Sequence, residues 1–324
     1  MNTHFARPLG IEAMSYSFPG PRRCVADWID EQGMPDGLAA GLARNGASHY
    51  HSSEGLSTID LAAAAVRQLF DEHPVEADSI DLVIFTHTLS SSVAPPPASV
   101  PEQIRRLFGL RRALAVSVAQ QNCASYLASL KVVEHLFSLD PRLNRALIVS
   151  ADKVVVEKQR NLSDYAMQSD GAAASLISRR TKRFLITPVV SHAEPQHYQG
   201  ASRSPELMAK YSQGYALTAY RLLTKVRTAL ANEDDATDDT LLIPSNLNRP
   251  AFEKVADLLA IPHHRLYTDN IATRGHAFCS DAIINLTDLL RKPESLTRDI
   301  LVYASGNSGC FSAMALTNCR PCDA

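Results

Sequence analysis

The feature that most constrains this chain of 324 residues is a succession of strands and helices that runs through twice. Residues 80–88, IDLVIFTHT, are apolar and rich in β-branched side chains, as in a strand buried on both faces. A Pro/Ser loop follows. Ser99 then opens a helix, with Pro101 early and Glu102 three residues on, the capping-box pattern, and Gly109 closes it. ALAVSV (113–118) reads as a strand and Cys123 to Phe137 as a helix, with Leu127, Leu130, Val133 and Phe137 at helical spacing. RALIVSA (145–151) and DGAAASLIS (170–178) read as strands. The second half repeats the order. TLLIPSN (240–246) is a strand, 249–260 a helix, RLYTDN (265–270) a short strand, and His276 to Leu290 a helix. DILVYAS (299–305) and FSAMALTN (311–318) are the last two strands. Each half is β-α-β-α-β-β, and strands alternating with helices point to mostly parallel sheets covered by helices. Self-similarity at so long a period is duplication.

Duplication carries a geometric expectation. Cys123 lies 23 residues before Ala146, and His276 lies 24 before Ile300. Both are expected at the start of the second helix of their half. Packing about a pseudo-twofold axis would bring the two helix starts together, a thiol facing an imidazole. A helix N-terminus favours the thiolate, and an imidazole beside it can hold the proton. The plain alternative is a small buried core cysteine.

His276 and Asp281 sit in the segment GHAFCSD (275–281). A carboxylate can fix the tautomer and orientation of an imidazole. Five residues apart on a regular helix is about 140° around the axis. The pair meets only if His276 lies in a turn before the helix settles; otherwise Asp281 is simply a first-turn acid that complements the helix dipole. SGNSG (305–309) is a turn whose backbone N–H groups could line an oxyanion site.

Composition excludes several classes. Apolar residues are 45% and charged residues 20%, with a net charge of −2, so no basic nucleic-acid face is expected. No apolar stretch is long enough to span a membrane. The N-terminus lacks the apolar core of a signal peptide, and a cytoplasmic location is expected. The six cysteines are scattered and read as free thiols. The Cys319-x-x-Cys322 pair has no second ligand pair nearby, so no metal site is expected. Trp28 reads as helix packing, and His87, His263 and His264 as surface or loop residues. The basic pairs Arg105-Arg106, Arg111-Arg112 and Arg179-Arg180 read as solvated faces, or as a greeting for an acidic carrier.

These landmarks, in this order, resemble the ketoacyl-ACP synthase III branch of the thiolase superfamily along nearly the whole chain. IEAMSYSFPG (11–20) looks like the first strand of that family, and SVAQQNCASY like its nucleophile segment. SDGAAA (169–174) is similar to its G-D-G-A-G-A. PSNLN (244–248) stands where the family carries P-H-Q-A-N, RGHAFCSD where it carries H-G-N-T-S-A-A-S, and SGNS (305–308) where it carries G-G-G-F. The resemblance implies an α/β thiolase fold, with duplicated βαβαββ halves in a five-layer α-β-α-β-α arrangement. Residues 1–180 would hold the nucleophile Cys123, and residues 181–324 would hold His276 and Asp281. It also implies a homodimer paired through the strand at 113–118.

Two departures redirect the chemistry. The histidine of H-Q-A-N is Ser245 here, and the asparagine of G-N-T is His276. That His/Asn pair polarises a malonyl thioester as it loses carbon dioxide, so ordinary decarboxylative condensation is not expected. G-H-x-x-x-x-D resembles the signature of synthase-III-like acyltransferases of secondary metabolism, in which nucleophile, histidine and aspartate form a triad. The resemblance implies an acyltransferase. Cys123 would take the acyl group from acyl-CoA or an acyl carrier protein. His276, oriented by Asp281, would deprotonate a hydroxyl, amine or carrier acceptor. Ser245, Gly306 and Asn307 would serve the oxyanion and substrate. Phosphopantetheine arrives with the substrate, and neither cofactor nor metal is expected. Carbon–carbon condensation is the rival, but thiolases use a second cysteine as base, and Tyr303 stands about where it would fall. A non-catalytic partner subunit is the third reading. Residues 181–215 should shape the acceptor side without offering a legible pattern.

Overall fold

The computed structural model describes residues 9–95, 97–181, 184–230, 240–292 and 299–318. Cys319 and Cys322 lie outside the described residues. In chain order the strands are β1 (Leu9–Ser17), β2 (Arg23–Cys24), β3 (His49–Tyr50), β4 (Leu82–Thr86), β5 (Leu114–Val118), β6 (Arg145–Asp152), β7 (Asn161–Leu162), β8 (Ala166–Met167), β9 (Gly171–Ser178), β10 (Leu185–Ile186), β11 (Val190–Ala193), β12 (Leu241–Ile243), β13 (Asp299–Gly306) and β14 (Cys310–Thr317). The α-helices are α1 (Val25–Gln32), α2 (Asp36–Arg44), α3 (Thr58–Glu72), α4 (Val100–Leu107), α5 (Ser125–Leu139), α6 (Pro205–Leu230), α7 (Arg249–Leu258), α8 (Asp269–Thr273) and α9 (Asp281–Leu290).

The halves share one pairing scheme. β5, β4 and β6 run parallel, and β9 lies antiparallel between β6 and β1. In the second half β12 and β13 run parallel, and β14 lies antiparallel to both β13 and β11. The two-residue β10 hydrogen-bonds β1 on one side and β14 on the other, so the ladders join into one sheet path.

Layering follows from side-chain alternation, since successive residues of a strand face opposite ways. Leu82, Ile84, Ala146 and Ile148 pack inward against α5 and α9, together with Leu241, Ile243, Ile300 and Val302 of the other half. Their neighbours Val83, Phe85, Leu147 and Val149 face the opposite way, onto α3 and α4. Leu242, Leu301, Ala313 and Ala315 face α6 and α7. The order is helices, half-sheet, the α5/α9 layer, half-sheet, helices. This is the five-layer α-β-α-β-α thiolase arrangement. Both faces of each half-sheet are covered, which is why their strands read as unbroken apolar runs.

The duplication extends further than the sequence pattern indicates. Each half carries an additional leading strand and helix: β1 with α3, and β11 with the 26-residue α6. Two elements differ from expectation. RLYTDN is not a strand: only Leu266 pairs, as a single bridge to Leu242, and α8 begins at Asp269. The helix expected from His276 begins only at Asp281, because Gly275 and Phe278 take left-handed φ values of 67° and 56°. His87 is buried and stacked on Phe85 rather than exposed. Trp28 is fully buried, as expected. Among the described residues no helix is long and apolar enough to cross a membrane.

α3 begins with a reciprocal capping box. The Ser57 hydroxyl accepts the Asp60 N–H at 3.3 Å, and the Asp60 carboxylate accepts the Ser57 N–H at 2.9 Å. Ser57→Ala is expected to lower the unfolding free energy by about 1 kcal/mol in urea titration, with turnover unchanged. An unaltered midpoint would mean that the box adds nothing to α3.

Candidate active site

The nucleophile turn follows β5. Gln120 and Asn122 hold left-handed φ values of 70° and 47°, and a short 3-10 turn, Asn122–Ala124, delivers Cys123 to the head of α5. The turn is pinned through Asn122. Its carbonyl accepts the Ser125 hydroxyl at 2.7 Å and the Cys279 thiol at 3.1 Å. Its side-chain oxygen accepts the Ser308 hydroxyl.

The second half builds the matching turn, Phe278–Ser280, ahead of α9. α5 begins two residues after Cys123, and α9 begins two residues after Cys279. The pseudo-symmetric mate of Cys123 is therefore Cys279. This corrects the expectation that His276 holds that place. Burial pushes the Cys279 thiol well up, and Asp152 and Cys123 push it the same way, so it remains a neutral S–H. His276 lies three residues earlier, in extended backbone. Its N–H donates to Met167 O at 2.8 Å, and its carbonyl accepts the Ser169 N–H at 2.9 Å, a one-residue parallel bridge at Gln168. Only glycine can precede it. A Cβ at Gly275 would lie 2.8 Å from both Met167 O and Ser169 Oγ, on a φ of 67°.

The extended approach solves the angular problem of a five-residue spacing. His276 Nε2 lies 3.2 Å from Cys123 Sγ, and Nδ1 lies 2.6 Å from Asp281 Oδ2. Cys123, His276 and Asp281 are all buried. Asp281 is not only a first-turn acid. Besides the imidazole it accepts the Ala277 N–H at 2.7 Å and the Asn246 N–H at 2.7 Å, with Asn246 Nδ2 at 3.3 Å. Both carboxylate oxygens therefore have donors, which fixes the orientation of the group. Burial works against a charged His276, but the Asp281 and Cys123 charges and their hydrogen bonds hold its pKa well above the usual histidine range. His276 is then held as an imidazolium against the Cys123 sulfur.

Asn246 is the site residue that the sequence reading missed. Its amide also donates to Gly275 O at 3.0 Å, and its side-chain oxygen accepts Asn285 Nδ2 at 2.9 Å. The segment PSNLN was singled out for Ser245, and the adjacent residue is the one that holds the triad. Ser245 is buried but is not among the residues lining the cavity onto which Cys123 opens. That cavity is walled by Leu162, Tyr165, Met208, Tyr211, Ser212, Tyr215, Leu247, Asn248, Ser305 and Asn307. Residues 205–215 thus supply one wall, through α6. Gly306 packs so tightly against the nucleophile turn that a Cβ would lie 2.6 Å from Gln121 O. Tyr303 is buried, is not part of the cavity wall, and has its phenol pKa pushed well up by burial, so it is a poor base. Arg105 and Arg111 are paired with Glu102 and Asp78 on the surface. Among the described residues no His/Cys/Asp/Glu group is arranged to hold a metal ion.

No family model matches the chain. Over 272 residues it is 24% identical to beta-ketoacyl-[acyl-carrier-protein] synthase III 2 of Bacteroides thetaiotaomicron, covering 76% of this chain and 79% of that protein. The solved structure of ChlB3, described as an acyltransferase, superposes with a TM-score of 0.82 at 18% identity, covering 97% of this chain and 98% of that one. The 3-oxoacyl-(acyl carrier protein) synthase III FabH of Pseudomonas aeruginosa superposes with a TM-score of 0.79 at 15% identity, covering 97% and 99%. The chain shares the thiolase fold of these solved structures, and its sequence is similar to synthase III proteins.

The geometry predicts what loosening Asp281 does. In Asp281→Asn the charge that raises His276 is gone while burial remains, so the imidazole should lose its proton at lower pH than in the native chain. Nitrogen-detected NMR of labelled histidine reads this directly. Alkylation of Cys123 by iodoacetamide at pH 7 should slow at least about tenfold in the same variant, and a few-fold in Asn246→Ala. An unmoved His276 titration would separate Asp281 from the imidazole.

Proposed function

We propose that this protein is an acyltransferase. It takes an acyl group from acyl-CoA or an acyl carrier protein onto Cys123 and passes it to a hydroxyl, amine or carrier thiol, in secondary-metabolite biosynthesis. The observation that carries the reading is the continuous buried line from Cys123 Sγ through His276 to Asp281, with spacings of 3.2 and 2.6 Å. The names of the sequence relatives, which specify an acyl carrier protein, support the donor class.

In the first half-reaction the Cys123 thiolate attacks the thioester carbonyl. The oxyanion is met by the Cys123 N–H at its helix head and by the backbone of Gly306–Asn307. Collapse breaks the carbon–sulfur bond to the carrier, and His276 Nε2 protonates the departing thiolate. Acylation removes the sulfur's negative charge, one of the causes that raise the His276 pKa. The imidazole, now neutral, becomes the base for the second half-reaction. It takes the proton of the acceptor, whose attack on the acyl carbon restores the Cys123 thiolate. Asp281 holds the Nδ1 side of the ring throughout. Nothing in these steps calls for a metal or redox cofactor.

Carbon–carbon condensation is favoured by the synthase III names alone. Ser245 and His276 replace the residues that would polarise a malonyl extender. A non-catalytic partner subunit has no use for so complete a triad. For assembly we propose a homodimer through β5, an apolar edge strand whose Leu114 is 56% exposed, in the cytoplasm. Light scattering at micromolar concentration should give twice the chain mass, and a monomer would refute the pairing.

The functional test supplies acyl-CoA and acyl-carrier donors, then a malonyl thioester or a nucleophilic acceptor. Intact mass should show one acyl adduct, absent in Cys123→Ala. His276→Ala should retain some adduct but lose transfer. Ser245→Ala should cost about tenfold or less. Rapid carbon dioxide release with a β-keto product would restore the condensing enzyme.

A further inference from the structure

Arg203 has no part in the chemistry described so far, yet it is a 6%-exposed cation at the edge of the active-site cavity. Among the described residues its hydrogen bonds go to no carboxylate. Nη1 donates to Asn307 O at 2.6 Å and Nη2 to Asn307 Oδ1 at 2.6 Å, with Met208 Sδ at 3.7 Å. The guanidinium lies 4.1 Å from the centroid of the Tyr211 ring, and Nε is buried without a partner. Burying a cation without a counter-ion is costly, so the arrangement must be held by what the guanidinium does hold.

What it holds is one residue, twice. A planar fork that engages both the carbonyl and the side-chain oxygen of Asn307 fixes that residue in orientation as well as position. Asn307 lines the cavity beside Cys123. The turn that carries it is clamped on its other side. Gly306 abuts Gln121 and Asn122, and the Ser308 hydroxyl donates to Asn122 Oδ1. The Gly306–Asn307 segment is thus gripped between the nucleophile turn and Arg203, and an oxyanion site works only when its donors are fixed before charge develops.

We infer that Arg203 is a positioning residue for acylation: by locking Asn307 it sets the Gly306–Asn307 amides against the oxyanion that forms on the Cys123 adduct. This rests on the proposed acyl-transfer reading. It is separated from that reading by using p-nitrophenyl acetate, which needs no carrier recognition. The Cys123 thiolate forms a bond to the acetyl carbon, the bond to oxygen breaks, and p-nitrophenolate leaves and is read by its absorbance.

The experiment measures two rates on the intact protein: acetylation by p-nitrophenyl acetate and alkylation by iodoacetamide. Alkylation displaces iodide at a saturated carbon and forms no oxyanion. In Arg203→Met acetylation should fall about 30- to 100-fold, at or below the low end of what outright removal of an oxyanion donor costs because the donors are loosened rather than removed, while alkylation changes less than about threefold. Arg203→Lys should recover part of the loss. Asn307→Ala, which removes only one of the two anchors, should show a smaller loss with the same selectivity, and it serves if Arg203→Met does not fold. Equal loss of both rates would make Arg203 merely structural, and unchanged acetylation would dismiss it; either result overturns the inference. Native acetylation that proceeds where every carrier thioester fails would count against the proposed donor and leave Arg203 to be judged on these rates.

Discussion

Asp281 is the interaction on which the rest of the site depends. It is a carboxylate buried in the α5/α9 layer, and an isolated charge there would cost several kcal/mol. It is kept by donors from two segments far apart in the chain: the His276 ring and the Ala277 N–H of one, and the Asn246 N–H of the other. Charge-assisted hydrogen bonds of this kind are worth roughly 1.5–3 kcal/mol each. Together such bonds are of the size needed to offset the burial cost. The carboxylate thus selects one arrangement of Gly275–Asp281 against the 244–248 segment, and the same arrangement aims Nε2 at the thiol.

The duplication supplies the frame, and its breakage supplies the chemistry. The matching 3-10 turns carry a cysteine at the same position, yet Cys123 faces an imidazolium while Cys279 donates to the Asn122 carbonyl and lies near buried Asp152. One copy of the turn presents a nucleophile, and the other braces it. The imidazole comes from neither turn but from the extended residue ahead of the second one.

Much of this was readable in the sequence. Strands such as β4, β6 and β13 are unbroken apolar runs because both their faces are covered, and Cys123, His276 and Asp281 stand in recognisable segments. The leading pairs were harder. Half of the buried face of α3 is alanine, and α6 turns tyrosines toward the cavity, so neither shows a strong apolar stripe. RLYTDN has strand-like residues, but only Leu266 finds a partner. The late start of α9 depends on left-handed backbone at Gly275 and Phe278, and a phenylalanine in that conformation carries no local signal. Asn246 was hidden because its partner lies 35 residues away and meets it only in the packed fold.

The single bridge at Gln168 and His276 ties a first-half segment to the imidazole that faces Cys123, and the thiol and imidazole are 153 residues apart in the chain. During synthesis the nucleophile turn leaves the ribosome long before its imidazole exists. Until the second half docks, Cys123 has neither the His276 imidazole beside it nor the Phe278–Ser280 turn across from it. The line from Cys123 through His276 to Asp281 belongs to the completed duplication and to no fragment of it.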